Sequence, residues 1–282
     1  MLLPIIHLKR FLGFYFSKLY QSTSYAIAVD THSTIFDGMY INPYKPILSF
    51  RTSNFDDKNI LIIAGLDHKT GFLPDFENPY EHLFSIAKKH FPNAELLYKW
   101  NTNDCISLDK IPYIGSYSNS FSDVYVATGF NKWGMTSSNI AANIITDKIL
   151  DKENKFSFVF DSLRLSPLKN RIELKNMTNQ AFKSFVVNKI KIPHSKLSKI
   201  KNDNGAIINL DSTDVGVYKD SRGEVFAIKP TCTHLGCLLT WNNLDKTWDC
   251  PCHGSRFDYT GKSIYDPAFK NLKRYNIIKK KQ

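Results

Sequence analysis

The stretch Cys232-Thr-His-Leu-Gly-Cys237, followed after twelve residues by Cys250-Pro-Cys-His-Gly-Ser-Arg-Phe257, decides how the chain is read. Each of the two short segments carries one cysteine and one histidine at close spacing, Cys232-x-His234 and Cys250-x-x-His253, and each carries a second cysteine, Cys237 and Cys252. Thiolate and imidazole are the side chains that bind transition metals and iron–sulfur clusters. A zinc site of two cysteines and two histidines draws on the same residue types, but zinc knuckles put the cysteines in one unit and the histidines in another. Here each segment mixes them, and zinc stays as the alternative.

The pattern C-x-H-x-G-C … C-x-C-H-x-S resembles the Rieske proteins of cytochrome bc complexes. The resemblance implies a [2Fe–2S] cluster with Cys232 and Cys250 as thiolate ligands to one iron and His234 and His253 as ligands to the other. It implies a disulfide between Cys237 and Cys252. Leu235, Gly236, Gly254 and Ser255 then surround the cluster, Ser255 with its hydroxyl toward a bridging sulfide. Asp266-Pro267-Ala268 is similar to the family's proline loop, with Pro267 shielding the cluster from water. Where the family often has a tyrosine donor to a ligand sulfur, this chain has Phe257. A missing donor lowers the expected potential below the top of the Rieske range of roughly −150 to +300 mV.

The 282 residues allow one large or two ordinary domains, and 43% hydrophobic with 13% aromatic residues is a globular composition. The net charge of +11 comes from scattered lysines, with runs only at 196–201 and 279–281. No basic–aromatic interleaving accompanies them, so a nucleic-acid partner is not expected. No stretch reaches the roughly 18–20 apolar residues of a membrane span, and the basic residues His7, Lys9 and Arg10 follow rather than precede the apolar start. A cytoplasmic chain is expected, with Cys105 an ordinary core residue.

Taken in order, residues 11–30 predict two strands around a polar turn at 21–24. Further strands are expected at 39–41, 47–52 and 59–64, with 65–71 a loop. Pro79–Phe91 has the apolar spacing of a helix stopped by Pro92, and 94–100 reads as a strand. A strand at 124–127 leads through Thr128-Gly-Phe-Asn-Lys-Trp-Gly-Met135 into a helix with Ile140, Ala141, Ile144, Ile145 and Ile149 on one stripe, capped by Thr136 or Ser137. The apolar run 156–160 is expected to tuck inward, and 176–187 to form a linking helix. Strands at 205–210, 215–219 and 225–229 suit an all-β domain, with a hairpin turn at 220–223 and 275–278 closing the sheet.

The P-Y-I-G and V-Y-V-A-T-G-F-N-K-W-G-M-T segments before the apolar helix resemble the C-terminal end of FAD-dependent oxidoreductases of the glycine/D-amino-acid oxidase class. The resemblance covers about residues 11–155 and implies FAD against Gly115, Gly129, Phe130, Gly134, Met135 and Thr136. A helix N-terminus there would favour the negative charge of a reduced flavin. It also implies an amine or amino-acid-like substrate. Such flavoproteins open with a G-x-G-x-x-G turn that binds the pyrophosphate. Among the thirteen glycines no two are separated by a single residue, so tight FAD binding is not expected of this chain alone.

The expected architecture is therefore α+β: a partial oxidase-like domain at 1–155, a linker with a helix at 156–188, and an all-β Rieske domain at 189–282. The expected function is a flavin-linked oxidoreductase passing single electrons to an acceptor protein. A plain electron carrier, or a fragment lacking its FAD-binding half, stays open. Tyr25, Arg51, His68, Lys69 and Trp133 are candidates for a flavin or substrate surface, and no catalytic residue is assigned.

Overall fold

A computed structural model describes residues 15–55, 58–72, 76–164, 197–210 and 212–276. The chain divides into two compact units, residues 22–103 and residues 1–21 with 104–282. The expected linking helix at 176–187 and the end of the closing strand at 277–278 lie outside the described residues.

A five-stranded sheet has the order β2-β3-β4-β1-β5. Its strands are β1 (Leu19–Asp30), β2 (Met39–Ile41), β3 (Leu48–Phe55), β4 (Lys58–Lys69) and β5 (Glu95–Ser107). The expected turn at 21–24 is absent, because β1 runs unbroken through Gln21–Ser24. Its polar residues go inward instead: Thr23 is 1% exposed, with its hydroxyl 2.8 Å from Thr70 Oγ1 and 2.8 Å from Asn103 Oδ1. A register shift between Thr23 and Tyr25 accommodates them. The expected loop at 65–71 is likewise mostly strand, since β4 continues to Lys69 through Gly65 (φ +153°) and Leu66 (φ +55°).

Helix α1 (Pro79–His90) forms where the pattern placed it. Asn78 caps it by accepting the Glu81 N–H at 3.3 Å, Pro79 occupies the first turn, and Tyr80, Leu83 and Ala87 are buried.

In the other unit, β6 (Tyr113–Ser118) and β7 (Phe121–Thr128) pair as a hairpin, and α2 (Gly134–Ile149) buries Ala141, Ile144 and Ile145 against Ile114 and Ala127. The helix begins at Gly134 with Trp133 as its cap residue, so neither Thr136 nor Ser137 caps it, and no side chain does. Ile149, expected on the buried stripe, is exposed at the last turn. The 156–160 run forms a short helix, α3 (Ser157–Phe160). Only Phe160 packs inward, whereas Phe156 and Phe158 are exposed.

Arg164 fixes the end of this part. Its guanidinium holds both oxygens of Asp109 at 2.9 and 3.0 Å, donates to the carbonyls of Ile111, Pro112 and Asp161, and lies 3.8 Å over the Tyr113 ring.

The C-terminal part is all β. Strands β8 (Asn204–Leu210), β9 (Thr213–Lys219) and β10 (Val225–Ile228) form an antiparallel sheet in the order β10-β9-β8. The Asp220 carboxylate closes the β9–β10 turn by accepting N–H groups of Arg222 and Glu224. A second sheet runs β11 (Thr240–Asn242), β12 (Thr247–Asp249), β13 (Arg256–Asp258) and β14 (Ser263–Tyr265). The two cysteine–histidine segments are the loops before β11 and between β12 and β13.

Candidate functional site

Both loops close by the same backbone pattern. Cys232 N–H donates to Cys237 O at 2.8 Å and Gly236 N–H returns to Cys232 O at 3.0 Å. Cys250 N–H donates to Ser255 O at 2.8 Å and Gly254 N–H returns to Cys250 O at 2.9 Å. Gly236 (φ +80°) and Gly254 (φ +78°), each four residues after the first cysteine, sit in the left-handed region that this tight turn demands. Cys237 and Cys252 are disulfide-bonded across the loops, with Cα atoms 6.6 Å apart.

The remaining donors converge. Cys232 and Cys250 are buried in one core with Trp248, Phe257, Ala268 and Leu272. The Cys250 thiol donates to the Cys232 sulfur, which lowers the Cys232 pKa to about 7, assisted by backbone N–H groups of His234 and Leu235 and by the Ser255 hydroxyl. As the donor of that pair Cys250 is pushed well above the usual thiol range, and burial adds to the rise. The His234 and His253 rings lie 5.0 Å apart, half-buried, with the Nδ1 atom of each fully enclosed. Burial holds His234 toward its neutral, ligating form. Two sulfurs surrounded by N–H donors, on loops that also bring two imidazoles within 5.0 Å of each other, fit the donor set of a two-iron cluster with mixed ligation.

Ser255 links this centre to its cover. Its Oγ accepts the Ala268 N–H at 3.0 Å, and Ser263 Oγ donates to Ala268 O at 2.6 Å, so the segment after Pro267 closes over the cysteine core. Thr233 Oγ1, in the first loop, donates to Lys270 O at 2.6 Å. Phe257 is fully buried and carries no hydroxyl. Arg256, missed in the sequence reading, is 6% exposed and pairs with Asp249 at 3.0 Å and Asp245 at 2.7 Å. It ties the second loop to the strand before it.

The oxidase-like candidates fall in three places. Gly129 (φ +71°) ends β7, and a side chain there would press on Leu19 and Ser107; Gly115 (φ +142°) lies in β6 against Ser162. Phe130 packs on the α2 core. Gly134, Met135 and Thr136 form the open first turn of α2, with Met135 86% exposed and nothing within 4 Å of a Gly134 Cβ. A helix N-terminus without a side-chain cap and without cover fits an anionic ring edge.

Asn131 (φ +53°) pins this loop to β5. It accepts from Ser107 N–H at 2.9 Å, donates to Gly129 O at 2.7 Å, and its own N–H reaches Cys105 O at 3.2 Å. The sequence reading did not single it out, although an Asn between glycines is the residue type that tolerates φ > 0. Cys105 is half-buried and receives the Thr128 hydroxyl at 3.7 Å.

In the unit 22–103, Tyr25 is fully buried and stacks on His68 at 5.7 Å, edge-on to Tyr80 at 5.1 Å. Lys69 lies over Phe72, and Arg51 is exposed on β3. Trp133, in the other unit, is 63% exposed.

The chain therefore joins two protein classes, an FAD dependent oxidoreductase part, whose family profile matches residues 9–148, and a Rieske [2Fe-2S] domain, whose profile matches residues 191–276. Domains of these two kinds imply FAD and a [2Fe–2S] cluster as cofactors. YhfW, a Rieske 2Fe-2S iron-sulfur protein of Bacillus subtilis, is 32% identical over 265 residues, covering 94% of this chain and 52% of that protein. The chain thus spans about half the length of this relative. Iron-sulfur subunit 1 of the Nostoc cytochrome b6-f complex is 49% identical over 47 residues, 17% of this chain and 26% of that subunit. Among solved structures, the plasma membrane Rieske protein of Synechocystis aligns with TM-score 0.27 at 31% identity over 30% of this chain and 88% of that one. Glycine oxidase of Geobacillus kaustophilus aligns with TM-score 0.39 at 20% identity over 52% of this chain and 40% of that one. Among the described residues no helix is long and apolar enough to cross a membrane.

Proposed function

We propose that this chain is the electron-relaying part of a flavin-linked oxidoreductase acting on an amine or amino-acid-like substrate, with domains at 1–155 and 189–282 joined by 156–188. Cys232 and Cys250 hold one iron, His234 and His253 hold the other through Nδ1, and Cys237–Cys252 fixes the loops. When bound, the flavin supplies a two-electron couple and the cluster a one-electron couple. The buried sulfurs exclude water, while the half-buried imidazoles keep a ring edge whose Nε2 takes up a proton when the charge on the centre becomes more negative. Of the residues the resemblance assigns to the flavin, the exposed Gly134, Met135 and Thr136 would meet it at the α2 N-terminus, while Gly115, Gly129 and Phe130 would support that loop from inside. The acceptor is a partner protein, and the setting is cytoplasmic. The observation that carries this reading is the contact between the buried Cys232 and Cys250 thiols at the base of two loops whose histidine rings lie 5.0 Å apart.

A second reading is a non-catalytic one-electron carrier whose first domain is a docking surface for a separate flavoprotein. Iron and acid-labile sulfide assays, EPR after reduction, and flavin released on denaturation separate the cases. A Rieske signal with stoichiometric flavin supports the relay, and the signal without flavin supports the carrier. Zinc in protein made with iron available overturns both.

A further inference from the structure

The two glycines that close the cysteine–histidine loops have the same backbone angle and different surroundings. A Cβ placed on Gly236 would meet nothing within 4 Å, whereas one placed on Gly254 would run into Cβ and Cγ of Gln21. The turn requires a glycine at both positions, but only the second loop, which carries His253, has its bare face covered. The cover comes from β1, more than two hundred positions earlier in the chain.

Gln21 also faces the other way. Burial raises the Cys105 thiol above its usual range, and the Thr128 hydroxyl, the Gly129 backbone N–H and the Gln21 amide, all placed to donate to its sulfur, oppose that rise. Cys105 is fastened to the loop at the end of β7 by the Thr128 hydroxyl at 3.7 Å and by the Asn131 N–H on its carbonyl at 3.2 Å. Burial raises the phenol of Tyr265, in β14 just before the proline loop, and the Asp104 carboxylate adds to the rise. Gln21 therefore stands between the histidine-bearing loop of the Rieske part and the glycine loop of the oxidase-like part.

We propose that Gln21 is a positioning residue, the seat on which the second cysteine–histidine loop docks against the Gly129 loop, so that the redox interface inside this chain runs Gly254–Gln21–Cys105–Gly129. The inference rests on the reading given under Proposed function for what the two loops hold. Its physical content is that electron exchange weakens steeply with every gap between packed atoms, and Gln21 fills the space beside Gly254. The side-chain atoms that do the seating are Cβ and Cγ, so a residue of the same length without an amide keeps the seat.

The experiment is hydrogen–deuterium exchange on the full chain carrying its cluster, comparing wild type with Gln21→Trp, Gln21→Ala and Gln21→Met. The tryptophan wedge is expected to speed exchange roughly tenfold in both 250–257 and 104–107, with the EPR g-values unchanged. Alanine gives a smaller rise in the same two segments, and methionine restores wild-type rates. If tryptophan or alanine leaves 250–257 within about twofold of wild type, the docking seat is wrong. If the tryptophan variant loses its EPR signal through misfolding, alanine against methionine makes the same comparison. Absence of a Rieske signal in the wild type defeats the functional reading separately, while the exchange data still report the seat.

Discussion

Ser255 Oγ accepts the backbone N–H of Ala268 at 3.0 Å while its own hydroxyl proton is directed to the Cys232 sulfur. One side chain thus fastens the cover and stabilises charge on a ligand. Ser255→Ala removes a donor worth about 1 kcal/mol, which for a one-electron couple is on the order of 40 mV. The potential is expected to fall by that amount in an EPR-monitored redox titration, and an unchanged or higher value would refute the role given to Ser255.

Phe257→Tyr tests the same term in the opposite direction. Phe257 is fully buried in the core that holds the four loop cysteines. A hydroxyl buried there needs a hydrogen-bond partner, and the cysteine sulfurs share its core. The expected result is a rise of the order of 40 mV, accompanied by some loss of thermal stability from overpacking.

The disulfide spans a sequence separation of 15. Closing a loop of that size constrains the unfolded chain by about 3 kcal/mol. The double variant Cys237→Ala, Cys252→Ala is expected to lose its visible cluster absorbance several-fold faster under mild denaturant. Equal lifetimes would mean that the hydrogen bonds alone hold the loops.

Arg164→Ala leaves the 14%-exposed Asp109 carboxylate without its bidentate partner. Breaking a buried pair costs roughly 3–5 kcal/mol, to be read as a lower urea midpoint. Arg164→Lys is expected to recover less than half of the loss, since an ammonium cannot bridge both carboxylate oxygens and three carbonyls.

Alkali is a further test. Burial pushes the Tyr15 phenol up to about 12 and raises Tyr113 beside it. The folded state holds these protons more tightly than the unfolded chain, whose tyrosines ionise near 10. The stability they confer is complete below pH 10 and is lost as pH rises toward 12. Tyr15→Phe gives up one hydrogen bond to Tyr117 O and is expected to start lower at neutral pH but decline less above pH 10. Parallel declines would show that Tyr15 does not contribute to alkaline unfolding.

The cluster loops were legible because ligand chemistry fixes both residue type and spacing, and α1 was legible because its apolar spacing from Pro79 runs to a stop at Pro92. The run Gln21–Ser24 was not. Polar residues in a strand read as a turn unless their partners are known, and the partners of Thr23 are Thr70 and Asn103, 47 and 80 positions away. The same distance problem hid the extension of β5 through Asn101–Asp104. Arg256 and Asn131 escaped for a related reason. Each acts by holding backbone or a neighbour in place, and neither has a spacing that announces it.

The disulfide has a consequence for how the protein is made. Cys237–Cys252 joins the two loops by a covalent bond that needs no metal, and it is expected to gather the donor set as a receptor before iron arrives. The expected order of maturation is then oxidation first and cluster delivery second. A reductant acting on the newly made chain blocks delivery by dispersing the receptor, whereas the same reductant acting later meets loops already clamped by iron. Comparing cluster insertion into oxidised and pre-reduced apoprotein reads that order directly, and equal rates would erase it.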